Sequence, residues 1–202
     1  MKKRVLILGS TGSIGTSALT VARQIPDRME IVGLAAGTRV DDLEDQAKEF
    51  GVKHLCLADN SRYKELQKPG RVVYAGANGL VEIVEATQPD LVLVAIVGVE
   101  GLRPTLAAIE LGCDIAVASK EILVMAGEVV MNAAREKGVN ILPVDSEHNA
   151  IFQCLEGHKG CSDEVRRLIV TASGGPFRTL PVEKLSEVKL EDALKHLSLI
   201  HI

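Results

Sequence analysis

The first fifteen residues restrict the fold more than any other part of the chain. Arg4 to Leu8 is a run of Val, Leu and Ile behind one arginine, the composition of a buried strand. Gly9-Ser10-Thr11-Gly12-Ser13-Ile14-Gly15 follows at once, and then a helical stretch to about Gln24, with Pro26 as its stop. Strand, glycine turn and helix is the setting in which backbone N–H groups approach a pyrophosphate lying at a positive helix end. The spacing is G-x-x-G-x-x-G, a variant of the commoner G-x-G-x-x-G dinucleotide pattern. A glycine-rich turn that binds nothing is the competing reading, and the strand–turn–helix setting weighs against it.

The same alternation continues. Strands are predicted at 30–36, 53–58, 72–74, 90–97, 114–118 and 139–142. Helices are predicted at 41–50, 80–86, 101–111 and 127–137, with Gly51 and Gly138 as stops. Apolar residues make up 47% of the chain but aromatics only 2%, so the core must be Val, Ile, Leu and Ala. That palette suits strands covered by helices on both faces. The expected class is α/β, a Rossmann-like doubly wound parallel sheet. No repeat or low-complexity linker interrupts it, and the sheet domain is expected to end near 145–150.

In such a sheet ligands lie beyond the carboxyl ends of the strands. The second strand ends Ala36-Gly37-Thr38-Arg39, without the acid that would take a ribose 2′-hydroxyl. Arg39 is placed for a 2′-phosphate, so NADP(H) is expected over NAD(H), unless Arg39 is only a solvated charge before the next helix. Gly98 ends the 90–97 strand and can approach a nicotinamide closely. Ser119-Lys120-Glu121 follows the 114–118 strand, either facing the crevice or opening a capped helix. After the last strand comes Asp145-Ser146-Glu147-His148-Asn149. In extended backbone Asp145 and Glu147 would point to one side and suit a hard cation, Mg²⁺ or Mn²⁺. Alternatively Asp145 or Ser146 caps a helix and Glu147 sits in its first turn.

From Ile151 the texture changes. A loop at 157–160, a strand at 165–171, a Ser173-Gly174-Gly175 turn and a helix at 184–194 are expected. The turn can form an anion-binding nest or be a plain tight turn. Four cysteines form no CxxC pair. Cys154, His158 and Cys161 are spaced loosely like zinc ligands but lack an evident fourth, so free thiols are expected. A net charge of −4 argues against nucleic acid. No segment reaches the roughly 18 apolar residues of a membrane helix. The apolar run after Met1-Lys2-Lys3-Arg4 is too short for a signal peptide, so a cytoplasmic protein is expected.

Taken together, five stretches resemble the 1-deoxy-D-xylulose 5-phosphate reductoisomerase family: 9–15, Ala95-Ile96-Val97-Gly98, 119–121, 142–153 and 173–177. The longest is the most specific, and together they span residues 4 to about 196. The resemblance implies residues 1–148 as an NADPH-binding domain and 149–202 as the start of an α+β catalytic domain. It implies Thr11, Gly12, Ser13 and Ile14 at the pyrophosphate, and Gly37, Thr38 and Arg39 at the 2′-phosphate. Ser119, where the family usually has Asn, and Glu121 would contact the cofactor. Lys120 would contact a sugar phosphate substrate and act in catalysis with Asp145 and Glu147, the ligands of Mg²⁺ or Mn²⁺. Ser146, Glu147, Ser173 and His196 would bind substrate.

The implied activity is NADPH- and metal-dependent isomerisation and reduction of 1-deoxy-D-xylulose 5-phosphate to 2-C-methyl-D-erythritol 4-phosphate, in a homodimer. The family continues past its Lys-His with a Trp-bearing loop and a third carboxylate ligand. Leu197 to Ile202 match nothing of that, so a shortened chain with impaired turnover is expected. Two other readings stay open: an NADP-dependent semialdehyde or acyl-phosphate reductase, which needs a cysteine at a helix N-terminus, and a nucleotide-binding domain without catalysis.

Overall fold

A computed structural model of the chain describes residues 1–157, 165–170 and 175–195. The chain divides into two compact units, 1–145 and 146–202. In the first, strands and helices alternate as β1 (Lys3–Leu8), α1 (Ser13–Gln24), β2 (Met29–Ala36), α2 (Val40–Phe50), β3 (His54–Leu57), β4 (Val72–Ala75), α3 (Gly76–Thr87), β5 (Leu91–Val94), α4 (Leu102–Glu110), β6 (Asp114–Val117), α5 (Lys120–Lys137) and β7 (Ile141–Pro143). The seven strands form one sheet in the order β4-β3-β2-β1-β5-β6-β7. All six strand pairs are parallel. The chain winds outward from β1 on one side and then on the other, so the order reverses between β1 and β5, where a crevice opens.

Strand periodicity explains the two-sided core. Val5 and Ile7 pack with Leu19, Leu34 and Leu43, on the side of α1 and α2. Leu6 and Leu8 point the other way, among Ile83, Val92, Ile109 and Ile122, on the side of α3, α4 and α5. All four are essentially inaccessible to solvent. This is why β1 reads as an unbroken apolar run and not as an alternating one.

Three boundaries differ from expectation by three residues or more. β5 stops at Val94, not Val97, because its neighbours β1 and β6 stop at Leu8 and Val117. Ala95 N–H still donates to Leu8 O, and the residues after it have no ladder to join. α5 begins at Lys120, seven residues before the expected start at Gly127, but breaks at Ala126 (φ −135°, ψ 24°). α3 begins at Gly76, ahead of Leu80.

The second unit contains α6 (Ser146–Leu155), 3₁₀ turns at Gly175–Phe177 and Val182–Glu187, and α7 (Leu190–Ala193). Two expectations fail in it. Residues 165–170 have no regular structure: Arg166-Arg167 breaks the alternation, and a lone strand has no partner for its backbone groups. The expected helix over 184–194 is two short pieces separated by extended Val188. None of its described residues is buried, and a helix without a packed face is marginal in water.

Candidate functional site

The glycine turn is held from both sides. Gly9 and Ser10 N–H both donate to Ala35 O, at 2.9 and 2.8 Å, which ties the turn to the end of β2. Gly9 has φ +95°, and a Cβ there would lie 2.3 Å from Ala95 O. Only glycine lets the turn lie on the end of β5 in that conformation. A Cβ at Gly15 would meet Gly9 O at 2.3 Å, so α1 packs directly on the turn. Gly12 is the N-cap of α1; no side chain caps the helix and its first turn carries no acid. The first intrahelical bond is Thr16 N–H to Gly12 O. The N–H groups of Ser13, Ile14 and Gly15 therefore precede the ladder at the positive end of the helix dipole. Ser13 and Ile14 are exposed there, whereas Thr11 is buried.

The turn forms one wall of a cavity of about 250 Å³. Gly9, Thr11 and Gly12 line it on one side, Ala36, Gly37, Thr38 and Arg39 on another, and Ala95, Ile96, Val97 and Glu100 on a third. Arg39 occupies the N-cap position of α2, and its exposed guanidinium lies 3.5 Å from Asp42. The 37–39 segment is braced from β3: Asp59 N–H donates to Gly37 O at 3.0 Å, and Arg62 donates to Thr38 O at 3.3 Å. No acid stands at the end of β2. Five of the residues expected at a cofactor, Thr11, Gly12, Gly37, Thr38 and Arg39, are thus brought together. Neither Gly98 nor Ser119 nor Glu121 is among the lining residues. Ser119 is buried at the N-cap of α5, its hydroxyl donating to Ile96 O, while Glu121 is exposed in the first helical turn.

Further along the same sheet edge, Val144 N–H donates to Val117 O at 2.9 Å. This register carries Asp145 to the start of α5, where Lys120 Nζ lies 3.8 Å from Asp145 Oδ2. In the second unit Ser146 opens α6 and Glu147 lies in its first turn, with Ser146 Oγ 3.1 Å from Glu147 Oε2. The backbone is helical from Ser146, so extended two-residue spacing does not apply to Glu147. Carboxylate oxygens are the donors a hard cation prefers, but such an ion takes about six. Among the described residues no group of three or more His, Cys, Asp or Glu side chains gathers. The donor type fits Mg²⁺ or Mn²⁺, and the described residues supply part of the number such an ion takes.

Ser173 and His196 lie outside the described residues, as do His158 and Cys161. The described thiols offer no nucleophile at a helix start. Cys56 lies within β3, where burial pushes its thiol up to about 12. Cys113 is buried ahead of β6, its thiol likewise raised by burial, and Cys154 falls in the last turn of α6. A larger cavity, about 560 Å³, lies in the second unit between Phe177, Lys184 and Asp192. It holds none of the expected site residues. Three contributors were not foreseen: Arg62, Glu100, and Gln46, whose Nε2 donates to Ser10 O at 3.1 Å. Gln46 carried a signal, as a polar residue three positions after Leu43 on the inner stripe of α2.

The family model described as 1-deoxy-D-xylulose 5-phosphate reductoisomerase matches residues 5–127. The model of that enzyme's C-terminal domain matches residues 141–199. The 1-deoxy-D-xylulose 5-phosphate reductoisomerase of Protochlamydia amoebophila is 46% identical over 196 residues, covering 96% of this chain and 50% of its own. The structure of the Zymomonas mobilis enzyme in complex with NADPH superposes with a TM-score of 0.87 at 44% identity, covering 97% of this chain and 52% of that one. A structure of the enzyme with NADPH, fosmidomycin and magnesium gives 0.83 at 37% identity, covering 96% and 51%. The chain spans about half the length of the relatives it matches.

Proposed function

Because the chain belongs to the 1-deoxy-D-xylulose 5-phosphate reductoisomerase family, we propose that it serves the NADPH- and divalent-metal-dependent isomerisation and reduction of 1-deoxy-D-xylulose 5-phosphate to 2-C-methyl-D-erythritol 4-phosphate, a step of non-mevalonate isoprenoid biosynthesis. One observation carries the cofactor half of the reading: an uncapped helix N-terminus behind a glycine turn, sharing a cavity with Arg39, and no acid at the end of β2. The N–H groups of Thr11, Ser13 and Ile14 would donate to the pyrophosphate, and Gly12, whose N–H is held by Gly9 O, would let it approach the backbone closely. Gly37, Thr38 and Arg39 would take the 2′-phosphate, Arg39 exchanging its exposed contact with Asp42 for a charge-assisted one. When bound, NADPH supplies a hydride. Ser119 and Glu121 would position it, Ser119 through the loop it holds by Ile96 O.

For the substrate we assign Lys120, an ammonium at the strand edge suited to a phosphate. Ser146 and Glu147 join it, with Ser173 and His196 beyond the described residues. Asp145 and Glu147 are assigned as oxygen ligands of Mg²⁺ or Mn²⁺, which a further donor must complete. We place the protein in the cytoplasm, with a small sugar phosphate as its partner, no nucleic acid or membrane partner, and a second copy as homodimer. Among the described residues no helix is long and apolar enough to cross a membrane.

A second reading, NADP(H) binding without turnover, needs only the cavity of the first unit. The two separate in one experiment. NADPH is titrated by its fluorescence with and without Mn²⁺, and 1-deoxy-D-xylulose 5-phosphate is then added while NADPH absorbance is followed. Metal-dependent consumption supports the first reading; binding without consumption supports the second. Absence of NADPH binding sinks both.

A further inference from the structure

We infer that Gln46 is a positioning residue for the dinucleotide turn, holding the Ser10 carbonyl so that the next peptide N–H is free for a phosphate oxygen. The inference rests on the NADPH reading of that turn.

Gln46 sits on the side of α2 that faces the sheet, beside buried Leu43 and Ala47. Its Nε2 donates to Ser10 O at 3.1 Å, across 36 residues of sequence. The rest of the contact is costly. Gln46 Oε1 is buried without a hydrogen-bond partner, and so is the hydroxyl of Ser10, a residue with no exposed surface. Each of the two residues joined by this contact thus carries one orphaned atom. An apolar side chain of the same length would fill the space and leave neither the amide oxygen nor its cost. Packing therefore does not account for a glutamine. What the amide does, and methionine could not, is hold the Ser10 carbonyl.

The consequence follows from peptide geometry. Ser10 N–H is already committed to Ala35 O, which fixes the preceding peptide. The peptide between Ser10 and Thr11 is trans, as are all the described ones, so its C=O and N–H point in opposite directions. With the carbonyl anchored on α2, the Thr11 N–H is turned away from α2. It has no acceptor among the described residues, and Thr11 lines the cavity. The Thr11 N–H then joins those of Ser13 and Ile14 in the first turn of α1 as one donor surface, while the Gly12 N–H donates to Gly9 O. Without Gln46 the Ser10–Thr11 peptide can rotate and take that donor out of the set.

The test compares two ligands on the 202-residue chain and its variants Gln46→Met and Gln46→Glu. NADPH spans the turn and the Arg39 loop, whereas adenosine 2′-phosphate reaches only the loop. Calorimetric titration of Q46M should show the Kd for NADPH raised about tenfold, with the Kd for adenosine 2′-phosphate unchanged. Its ligand-free melting temperature should change little, since one buried orphan oxygen is gone while the Ser10 carbonyl loses its donor. Q46E sets a carboxylate against the Ser10 carbonyl and should lose more NADPH affinity, again selectively. It carries the comparison should Q46M not fold. Wild-type NADPH affinity in both variants overturns the inference. So does a falling melting temperature with parallel weakening of both ligands, the mark of a merely structural side chain. If the wild-type chain binds adenosine 2′-phosphate but not NADPH, the dinucleotide reading itself fails, and this inference with it.

Discussion

The first unit sequesters two rows of aliphatic side chains, one on each face of its sheet. In the second unit no described residue is buried. Leu168, Ile169, Val170, Leu185, Leu190 and Leu194 are between 46% and 70% exposed. Both stretches carry apolar residues; they differ in whether anything covers them. In residues 1–145 packing selects among local possibilities, since a strand there must bury both faces. In residues 146–195 no such selection acts on the described residues, and local preference alone yields short turns.

The largest expected effect probes the point where the first unit is most tightly built. Gly9→Ala puts a Cβ 2.3 Å from the Ala95 carbonyl oxygen at φ +95°, against backbone that cannot give way. A loss of at least about 3 kcal/mol is expected, together with loss of NADPH binding. Denaturant unfolding followed by circular dichroism, alongside an NADPH titration, reads both. A G9A chain as stable as wild type would mean that the turn is not seated on β5. Leu6→Ala should follow closely, at about 3 kcal/mol, because Leu6 is fully buried in the central strand and leaves a cavity.

This contrast also separates what was legible in the sequence from what was not. Arg4–Leu8 and Glu30–Ala36 were readable as strands to within a residue, because a parallel strand covered on both faces needs an unbroken aliphatic run. The expected helix start at Gly127 coincides with the break at Ala126, so the sequence signal was a real irregularity inside a longer helix. The end of β5 was not readable, since it depends on where two other strands stop. In the second unit the amphipathic pattern over 184–194 looked helical, yet amphipathicity specifies a helix only when a surface receives its apolar face. At the carboxyl edge of the sheet the glycine turn was legible because its conformation is set locally. The Gln46 contact to Ser10 was not, because only the winding of α2 onto the sheet brings them together.

If the first unit is self-sufficient, it should discriminate between cofactors through one side chain. Arg39→Ala is expected to weaken NADPH about 10- to 100-fold, the loss of a charge-assisted phosphate contact worth about 1.5–3 kcal/mol. NADH affinity should stay unchanged. Equal losses for both dinucleotides would detach Arg39 from the 2′-phosphate.

An effect of about 2 kcal/mol is expected at Glu44, which ties α2 to the β4 side of the sheet through Arg71 and Lys68, with Lys48 beside it. The Arg71 hydrogen bond, aided by Lys68, overcomes the opposing effect of burial and draws the Glu44 carboxyl down to about 2. The folded value lies below the unfolded one, so the stabilisation is present above the ordinary carboxylate range. It is lost as pH falls from about 4.5 toward 2. Glu44→Gln should cost about 2 kcal/mol at pH 7, the figure discounted for the solvent around Lys68 and Lys48. The gap between wild type and variant should close through that acid window. A gap constant with pH would assign the effect to packing and not to charge.

The smallest expected effect bears most directly on the contrast between the units. Leu185 lies in the 3₁₀ turn Val182–Glu187 and is 46% exposed, so truncating it removes little buried area and opens no cavity. Leu185→Ala should change stability by less than about 0.5 kcal/mol, against about 3 for the same loss of atoms at Leu6. The two variants are chemically identical substitutions, so intrinsic propensity and transfer free energy largely cancel between them. The remaining difference is burial. Denaturant midpoints measured in parallel give it directly. A cost at Leu185 approaching that at Leu6 would mean that the second unit buries this side chain in solution. Its apolar pattern would then be selected by packing just as that of the sheet is.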